Sequence, residues 1–356
     1  MDLAEHFQRW GEQGIHRLPT YGRISLGIAA DPEVRDLMLE APAEQRQPVL
    51  IFAVVHDLLL SGTDHRLAQW YPTVGGHGNP TGDPYPDFRD FVLERRALVV
   101  DLLATRSTQT NEIGRCSVMR PAWAQVAEEV QSPLGLIELG ASAGLNLLLD
   151  HWAYSYSPDG PRYGDASREV LVEAQSRGAP VPPLGPLQLA SRIGIDLHPI
   201  DVHDDEAVQW LLACVWPEQL SRFQRLKAAI DVARTQQPQV IAGDIVESLP
   251  ATAADVPADQ HLAVQNSWVL NYLPAHARQR LTEELSDIGT ARDLSWLSVE
   301  NPESTPDLDY PPRPDGVEEP ADSGATVAVL TTWRSGRRTV RRLADCHPHG
   351  TWLRWW

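Results

Sequence analysis

The spacing of apolar residues changes near residue 130. Before that point it follows helical periods. Val49–Leu60 is an apolar stretch of helical length closed by Ser61-Gly62, a glycine stop signal. From Asp87 to Arg106 the apolar positions Phe88, Phe91, Val92, Leu98, Val99 and Leu102 recur near 3.6 residues, which predicts one helix. Pro121 to Val130 predicts another, with its proline in the first turn. Between them, Tyr71–Pro86 is dense in Pro, Gly and Asp and reads as a long loop.

Beyond residue 130, short apolar runs alternate with helical stretches, the pattern of a mainly parallel sheet. The runs are Leu134–Leu139, Ile193–Leu197, Val240–Ala242, Leu262–Val264 and Trp296–Val299. Helices are expected at Gly144–Trp152, Asp204–Trp216, Glu218–Thr235 and Ala275–Ile288. The last runs, Thr326–Trp333, Arg338–Ala344 and Thr351–Trp356, are closely spaced, so at least two should pair antiparallel. Tyr154–Pro186 holds a β-like run at Val170–Glu173 and reads as an inserted hairpin and loop, covering about residues 153–188. Asn301–Ser323, rich in Pro, Asp and Glu, reads as a mobile surface loop. The expected architecture is α/β: an all-helical domain at 1–130, capping a Rossmann-like domain at 131–356.

Composition narrows the function. The 356 residues carry a net charge of −18, which disfavours nucleic acid and anionic lipid as partners. Arg334–Arg342 is a local basic stretch, read as the exposed face of a hairpin strand. Cys116, Cys214 and Cys346 make no disulfide framework, and the opening residues lack the pattern of a signal peptide. A cytoplasmic protein acting on a small molecule is expected, in an oligomeric state the sequence does not define.

The chemistry concentrates at Leu136-Ile-Glu-Leu-Gly-Ala-Ser-Ala-Gly-Leu-Asn146. A strand delivers the chain to Gly140, a glycine turn follows, and a helix from Gly144 is expected to aim free N–H groups at a ligand. Two chemistries compete. Gly140-Ala-Ser142-Ala-Gly144 fits the G-x-S-x-G nucleophile elbow of a serine hydrolase. It also fits the first nucleotide loop of class I methyltransferases, with Glu138 close to the cofactor. Acids downstream favour the second. Asp196 ends the run Ile193-Gly-Ile-Asp, where a carboxylate can accept from both ribose hydroxyls. Asp244 ends Val240-Ile-Ala-Gly-Asp, and Asn266 follows the fourth run, where such enzymes face their substrate. The gap from Gly140 to Asp196 exceeds the usual ~20 residues, and the 153–188 insertion would account for it. For a hydrolase, Asp201 or Asp244 would have to supply the acid and His261, His276, His347 or His349 the base, none in a telling context.

Gln109, Asn111, Glu112 and Arg115 form a polar cluster that can grip a substrate or cap helices and pair internally. Cys346-His347-Pro348-His349 has the look of metal ligands but lacks a second cluster, so a turn between strands is the expectation and no metal is assigned. His56-Asp57 and Asp64-His65 are read as structural.

Taken together, Gln109-Thr-Asn-Glu-x-x-Arg-Cys116, Glu138-Leu-Gly-Ala-Ser-Ala-Gly-Leu-Asn-Leu147, Gly194-Ile-Asp-Leu-x-Pro199, Trp216-Pro-Glu218 and Cys346-His-Pro-His-Gly350 resemble the uncharacterised bacterial domain of unknown function 2332 family over nearly the whole chain. That family carries no assigned activity. The second half is similar to class I methyltransferases, which implies S-adenosylmethionine as cofactor, bound by Glu138, Gly140, Ser142, Gly144, Asp196 and Asp244. Asn266, Gln109, Asn111, Glu112 and Arg115 are the candidate substrate contacts. A serine hydrolase using Ser142 and a non-catalytic ligand binder remain open alternatives.

Overall fold

A computed structural model describes residues 2–78, 81–158, 160–165, 167–314 and 324–356. The chain forms two compact units. One comprises Met1–Thr110 with His203–Lys227, the other Asn111–Val202 with Ala228–Trp356.

The first unit is helical. Its main helices are Leu3–Gly14, Pro19–Ala30, Pro48–Leu60, Tyr85–Glu94, Arg96–Thr105 and Asp205–Ala213. Aromatic packing fills its core, with Tyr21 stacked on Phe52 at 4.4 Å between centroids. His56 is fully buried on the Pro48–Leu60 helix. Its Nδ1 faces the Ala213 carbonyl at 3.0 Å and its Nε2 faces the Thr73 hydroxyl at 2.6 Å. Burial pushes its pKa down to about 4, so it is a neutral core histidine with Nδ1–H donating. Asp57 beside it accepts from Gln209 Nε2 at 2.9 Å.

In the second unit an 11-stranded sheet organises the chain. Its strands are β1 (Leu134–Leu139), β2 (Ala153–Ser157), β3 (Arg162–Tyr163), β4 (Leu171–Ser176), β5 (Leu189–Asp196), β6 (Gln239–Ala242), β7 (His261–Ser267), β8 (Leu294–Glu300), β9 (Thr326–Arg334), β10 (Arg337–Cys346) and β11 (Trp352–Trp355). Their order is β3-β2-β4-β11-β10-β9-β8-β7-β1-β5-β6. Strands β6, β5, β1, β7 and β8 run parallel, while β9 and β10 continue antiparallel from β8. The fold is mixed α/β with a mostly parallel sheet. Every position of β1, β7 and β8 is buried, which explains why they appear in sequence as continuous apolar runs. After β2–β4 at the far edge, the chain returns to β5 and β6 on one side of β1 and then crosses to β7 and β8 on the other. The carboxyl edge of β1 is therefore a switch point, where such sheets bind ligands.

Several elements differ from the sequence reading. Asp87–Arg106 is two helices, broken at Arg95 (φ −115°, ψ 23°). The helix expected from Pro121 starts at Cys116 and carries Pro121 inside it. No helix follows the glycine turn: Leu145–Leu148 is one four-residue 3-10 turn, preceded by Gly144 with φ +72°. A helix unforeseen in the sequence, Ile245–Asp255, follows β6, with Pro250 interrupting its pattern. Residues 153–176 do not form a detached hairpin, because β4 pairs with β11 and extends the main sheet. The division into units also differs from a break at 130. Trp210, Cys214 and Trp216 pack in the helical core, whereas the Cys116–Val130 helix sends Trp123 Nε1 to Gln265 of β7 at 2.7 Å. Of the long acidic loop, 301–314 is irregular and 315–323 lie outside the described residues. No helix among the described residues is long and apolar enough to cross a membrane.

Loop and sheet are tied by a buried charge cluster. Asp345 of β10 is fully buried, accepts from Arg313 Nε at 2.6 Å and pairs with Arg342. Asp345→Ala removes the buried carboxylate that both guanidinium groups engage. Unfolding free energy should fall by about 3–5 kcal/mol in urea titration. A loss below 1 kcal/mol would show that solvent already screens the cluster.

Candidate functional site

Among the described residues, five that are not glycine have positive φ. Gln131 and Gln237 follow helices, and Ser335 belongs to the two-residue turn joining β9 to β10, so three have ordinary explanations. Ser142 (φ +54°) and Trp268 (φ +55°) remain. They follow the carboxyl ends of β1 and β7, which are paired neighbours. Each such backbone costs on the order of 1–3 kcal/mol, and strain of this kind gathers at functional sites.

The Gly140–Gly144 turn is held from outside. Gly140 and Ala141 donate to the Ile195 carbonyl at 2.8 and 3.2 Å. Ser142 N–H donates to Asp196 Oδ2 at 2.7 Å, and Leu145 N–H to Asn111 Oδ1 at 3.0 Å. Hence these N–H groups are engaged within the protein rather than aimed at a ligand. The glycines serve close packing: a Cβ on Gly140 would lie 2.4 Å from Val269 Cγ2, and one on Gly144 2.9 Å from Val240 Cγ2.

Three acids end three neighbouring strands around this turn. Glu138 is on β1, Asp196 ends β5, and Asp244 follows β6. Asp196 is half-buried and also accepts from His198 N–H at 2.9 Å through Oδ1. Asp244 is exposed and caps the Ile245–Asp255 helix, accepting from Val246 and Glu247 N–H at 2.8 and 3.1 Å through Oδ1. Glu138 is 1% exposed, and its Oε1 accepts from Asn146 Nδ2 at 3.2 Å. Burial pushes its carboxyl up to about 8, with Asn146 and Gln265 pulling it back. The Gln265 amide is close enough to favour ionised Glu138, yet Gln265 Nε2 and Glu138 Oε2 make no hydrogen bond of normal geometry. Ser142 Oγ is likewise buried without a partner. Unmade hydrogen bonds on three buried groups are costly unless a ligand or water completes them.

On the other face of β7, Asn266 is fully buried. Its Nδ2 donates to Ser298 Oγ (3.1 Å) and Glu300 Oε1 (2.8 Å), and its Oδ1 accepts from Trp296 Nε1 (2.6 Å). Glu300 Oε1 also accepts the N–H groups of Val269 and Leu270, fixing the turn after Trp268. Burial raises the Glu300 carboxyl. Asn266 therefore holds Glu300, Ser298 and Trp296 inside the sheet.

The polar cluster is divided. Gln109 lies in the helical unit; Asn111, Glu112 and Arg115 lie in the sheet unit. Glu112 Oε1 accepts from Gly114 N–H at 2.8 Å. Arg115 Nε donates to the Pro348 carbonyl at 2.9 Å and its Nη1 to the Ser267 carbonyl at 3.1 Å, with the guanidinium 5.8 Å from the Trp268 ring centre. The 346–350 segment is the turn between β10 and β11. A Cβ on Gly350 would lie 1.8 Å from the Gly114 carbonyl oxygen, so this turn meets the 111–116 turn backbone to backbone. His349 Nδ1 lies 3.7 Å from Glu112 Oε2. Sequence reasoning missed Gln265, Trp268 and Glu300. Glu300 directly follows an apolar run and could have been flagged as another acidic strand end, but no periodicity marks Trp268.

Among the described residues, one potential metal cluster appears, His65, Asp90 and Glu94 in the helical unit. His65 Nδ1 accepts from Leu67 N–H at 3.0 Å, which leaves its proton on Nε2, and Arg66 and Arg95 engage the two acids. It is an ion-pair cluster.

These features define an open-sheet α/β protein with a strained switch-point turn. The chain belongs to the bacterial family described as "Uncharacterized protein conserved in bacteria (DUF2332)", whose model matches residues 4–355. No curated protein matches it.

Glu138 makes the site's pH dependence testable. Unfolded, it ionises near 4.5; folded, it keeps its proton to about 8. Its contribution to stability is thus full below 4.5 and lost as pH rises through 8. Glu138→Gln removes that loss. The stability difference between variant and wild type should grow across this window and then level off in denaturant titrations. A constant difference would mean that Glu138 ionises normally.

Proposed function

We propose that this protein binds S-adenosylmethionine at the carboxyl edge of β1 and transfers its methyl group to a small-molecule acceptor. The observation that carries the reading is the run of acids Glu138, Asp196 and Asp244 at or just beyond the carboxyl ends of the adjacent strands β1, β5 and β6, around a strained turn, in a sheet that contains the parallel block β6-β5-β1-β7-β8. That order is the one expected of a Rossmann-like, methyltransferase-type domain.

The donor set fits the cofactor through side chains more than through the turn backbone. Asp196 Oδ1 and Oδ2 each take one backbone N–H, which leaves further lone pairs for ribose hydroxyls. Asp244 uses Oδ1 for its helix, leaving Oδ2 for an amino donor. Glu138 Oε2, Gln265 Nε2 and Ser142 Oγ offer an unpartnered acid, amide and hydroxyl to a group bearing both donors and acceptors. Gly140 and Gly144 shape the turn. The cofactor would supply an electrophilic methyl group on a sulfonium. The chain's contribution would be alignment, with Asn111 and Arg115 holding the turns that border the site.

Calorimetry with S-adenosylmethionine and S-adenosylhomocysteine tests this. Both should bind, and Asp196→Asn, which keeps an acceptor for Ser142 N–H, should weaken binding about tenfold, the effect of one charge-assisted hydrogen bond. Absence of heat with both ligands would overturn the reading. Binding without turnover across an acceptor screen would instead assign a non-catalytic ligand binder.

One observation favours a second reading. The left-handed backbone at Ser142 within Gly-x-Ser-x-Gly is what a nucleophile elbow requires. Against it, Ser142 Oγ makes no hydrogen bond, so no base among the described residues is within hydrogen-bond reach of it. His261 sits at the amino end of β7, opposite Leu134, about 20 Å from the turn at strand rise. Under the methyl-transfer reading a fluorophosphonate probe leaves the protein unlabelled; labelling abolished by Ser142→Ala would establish the hydrolase.

A further inference from the structure

Glu138 and Gln265 are cross-strand partners and share one face of the sheet. Asn266, next along β7, points to the other face together with its partner Ser298. On that second face a cavity of about 320 Å³ opens between the Ala275–Ala291 helix and strands β8, β9 and β10, bordered by the 307–310 segment. It shares no lining residue with the turn at Ser142.

We propose that this cavity is a binding site for a neutral, polyhydroxylated ring of monosaccharide size. Its floor carries two hydroxyls that are more than nine-tenths buried. Thr331 is 2% exposed and lines the cavity. Ser298 is 6% exposed; its Oγ accepts from Asn266, which leaves its own proton to donate. Thr331 is the cross-strand partner of Trp296, and Ser298 that of Val329, so all four side chains face the cavity. The rings of Trp296 and Tyr310 with Val329 and Leu308 add apolar wall for the C–H face of a sugar.

Charge excludes the commonest alternative. The walls hold Asp307, Asp309 and Arg338. Asp307 is matched by Arg278, with Nε 3.0 and 2.9 Å from its two oxygens. Arg338 faces Asp309 loosely at 3.4 Å at the rim. Among the described residues no cation is left in excess to hold a phosphate or carboxylate, whereas a loose Asp–Arg pair presents an acceptor and donors to vicinal hydroxyls. The volume, near the lower end of ordinary ligand pockets, suits one ring.

Saturation-transfer NMR on the full-length protein with D-ribose, D-glucose and D-galactose, and separate titration with inorganic phosphate, decides the matter. At least one sugar should bind with Kd on the order of millimolar. Thr331→Val, isosteric and with unchanged thermal unfolding, should weaken it about tenfold, the effect of one buried hydrogen bond. Three results would overturn the proposal: no sugar binds, phosphate competes with the sugar, or a sugar binds equally well to Thr331→Val and Arg338→Ala. The outcome is independent of S-adenosylmethionine binding, which is read at Asp196.

Discussion

The backbone of Ser142 stays in a left-handed conformation because Asp196 accepts its N–H at 2.7 Å. The bond spans two strands, so it can form only if β5 lies beside β1 in the observed register, with Leu139 opposite Ile195. The turn itself adds two bonds to the Ile195 carbonyl. The position of Ala141, the burial of Ser142 Oγ and the placement of Asn146 under Glu138 all follow from this one clamp. In local terms the turn is strained; in tertiary terms neighbouring strands over-determine it.

A second constraint is the disposal of buried charge. Glu138 and Glu300 stand on β1 and β8, either side of β7, and burial raises both carboxyls. Residues of β7 serve each in turn: Gln265 lies by Glu138 and Asn266 bonds Glu300. Alternation along a single strand thus services two acids on opposite faces. Glu300 in turn fixes the Val269–Leu270 backbone, and Val269 closes on Gly140. The strained turns after β1 and β7 are therefore linked through side chains as well as through strand pairing.

Much of the parallel sheet could be read from sequence because its central strands are buried on both faces, and Leu134–Leu139, Leu262–Val264 and Trp296–Val299 appear as apolar runs. The acids Glu138, Asp196 and Asp244 could be found because each lies at or just beyond the end of such a run. The Ile245–Asp255 helix could not, since Pro250 breaks its pattern while tertiary packing of Leu249 and Ala253 overrides the local penalty. The helix anticipated after Gly144 failed for the reverse reason. Leu145–Leu149 has helical composition, but Asn111 caps Leu145 and the segment closes as a single 3-10 turn.

The sequence by itself determined the local alphabet: an apolar-run sheet, a glycine turn after β1, helical stretches before residue 130, and a polar cluster at 109–116. Tertiary structure decided which of these cooperate. It joined β2–β4 to the sheet through β11, placed 203–227 in the helical unit, separated Gln109 from Asn111 by unit, and brought the 346–350 turn against Gly114. It also committed Asn266 to Ser298, Glu300 and Trp296. The physical reason is range. Propensity and periodicity act over a few residues, whereas hydrogen-bond satisfaction of a buried side chain depends on partners tens or hundreds of positions away, which only the folded chain brings together.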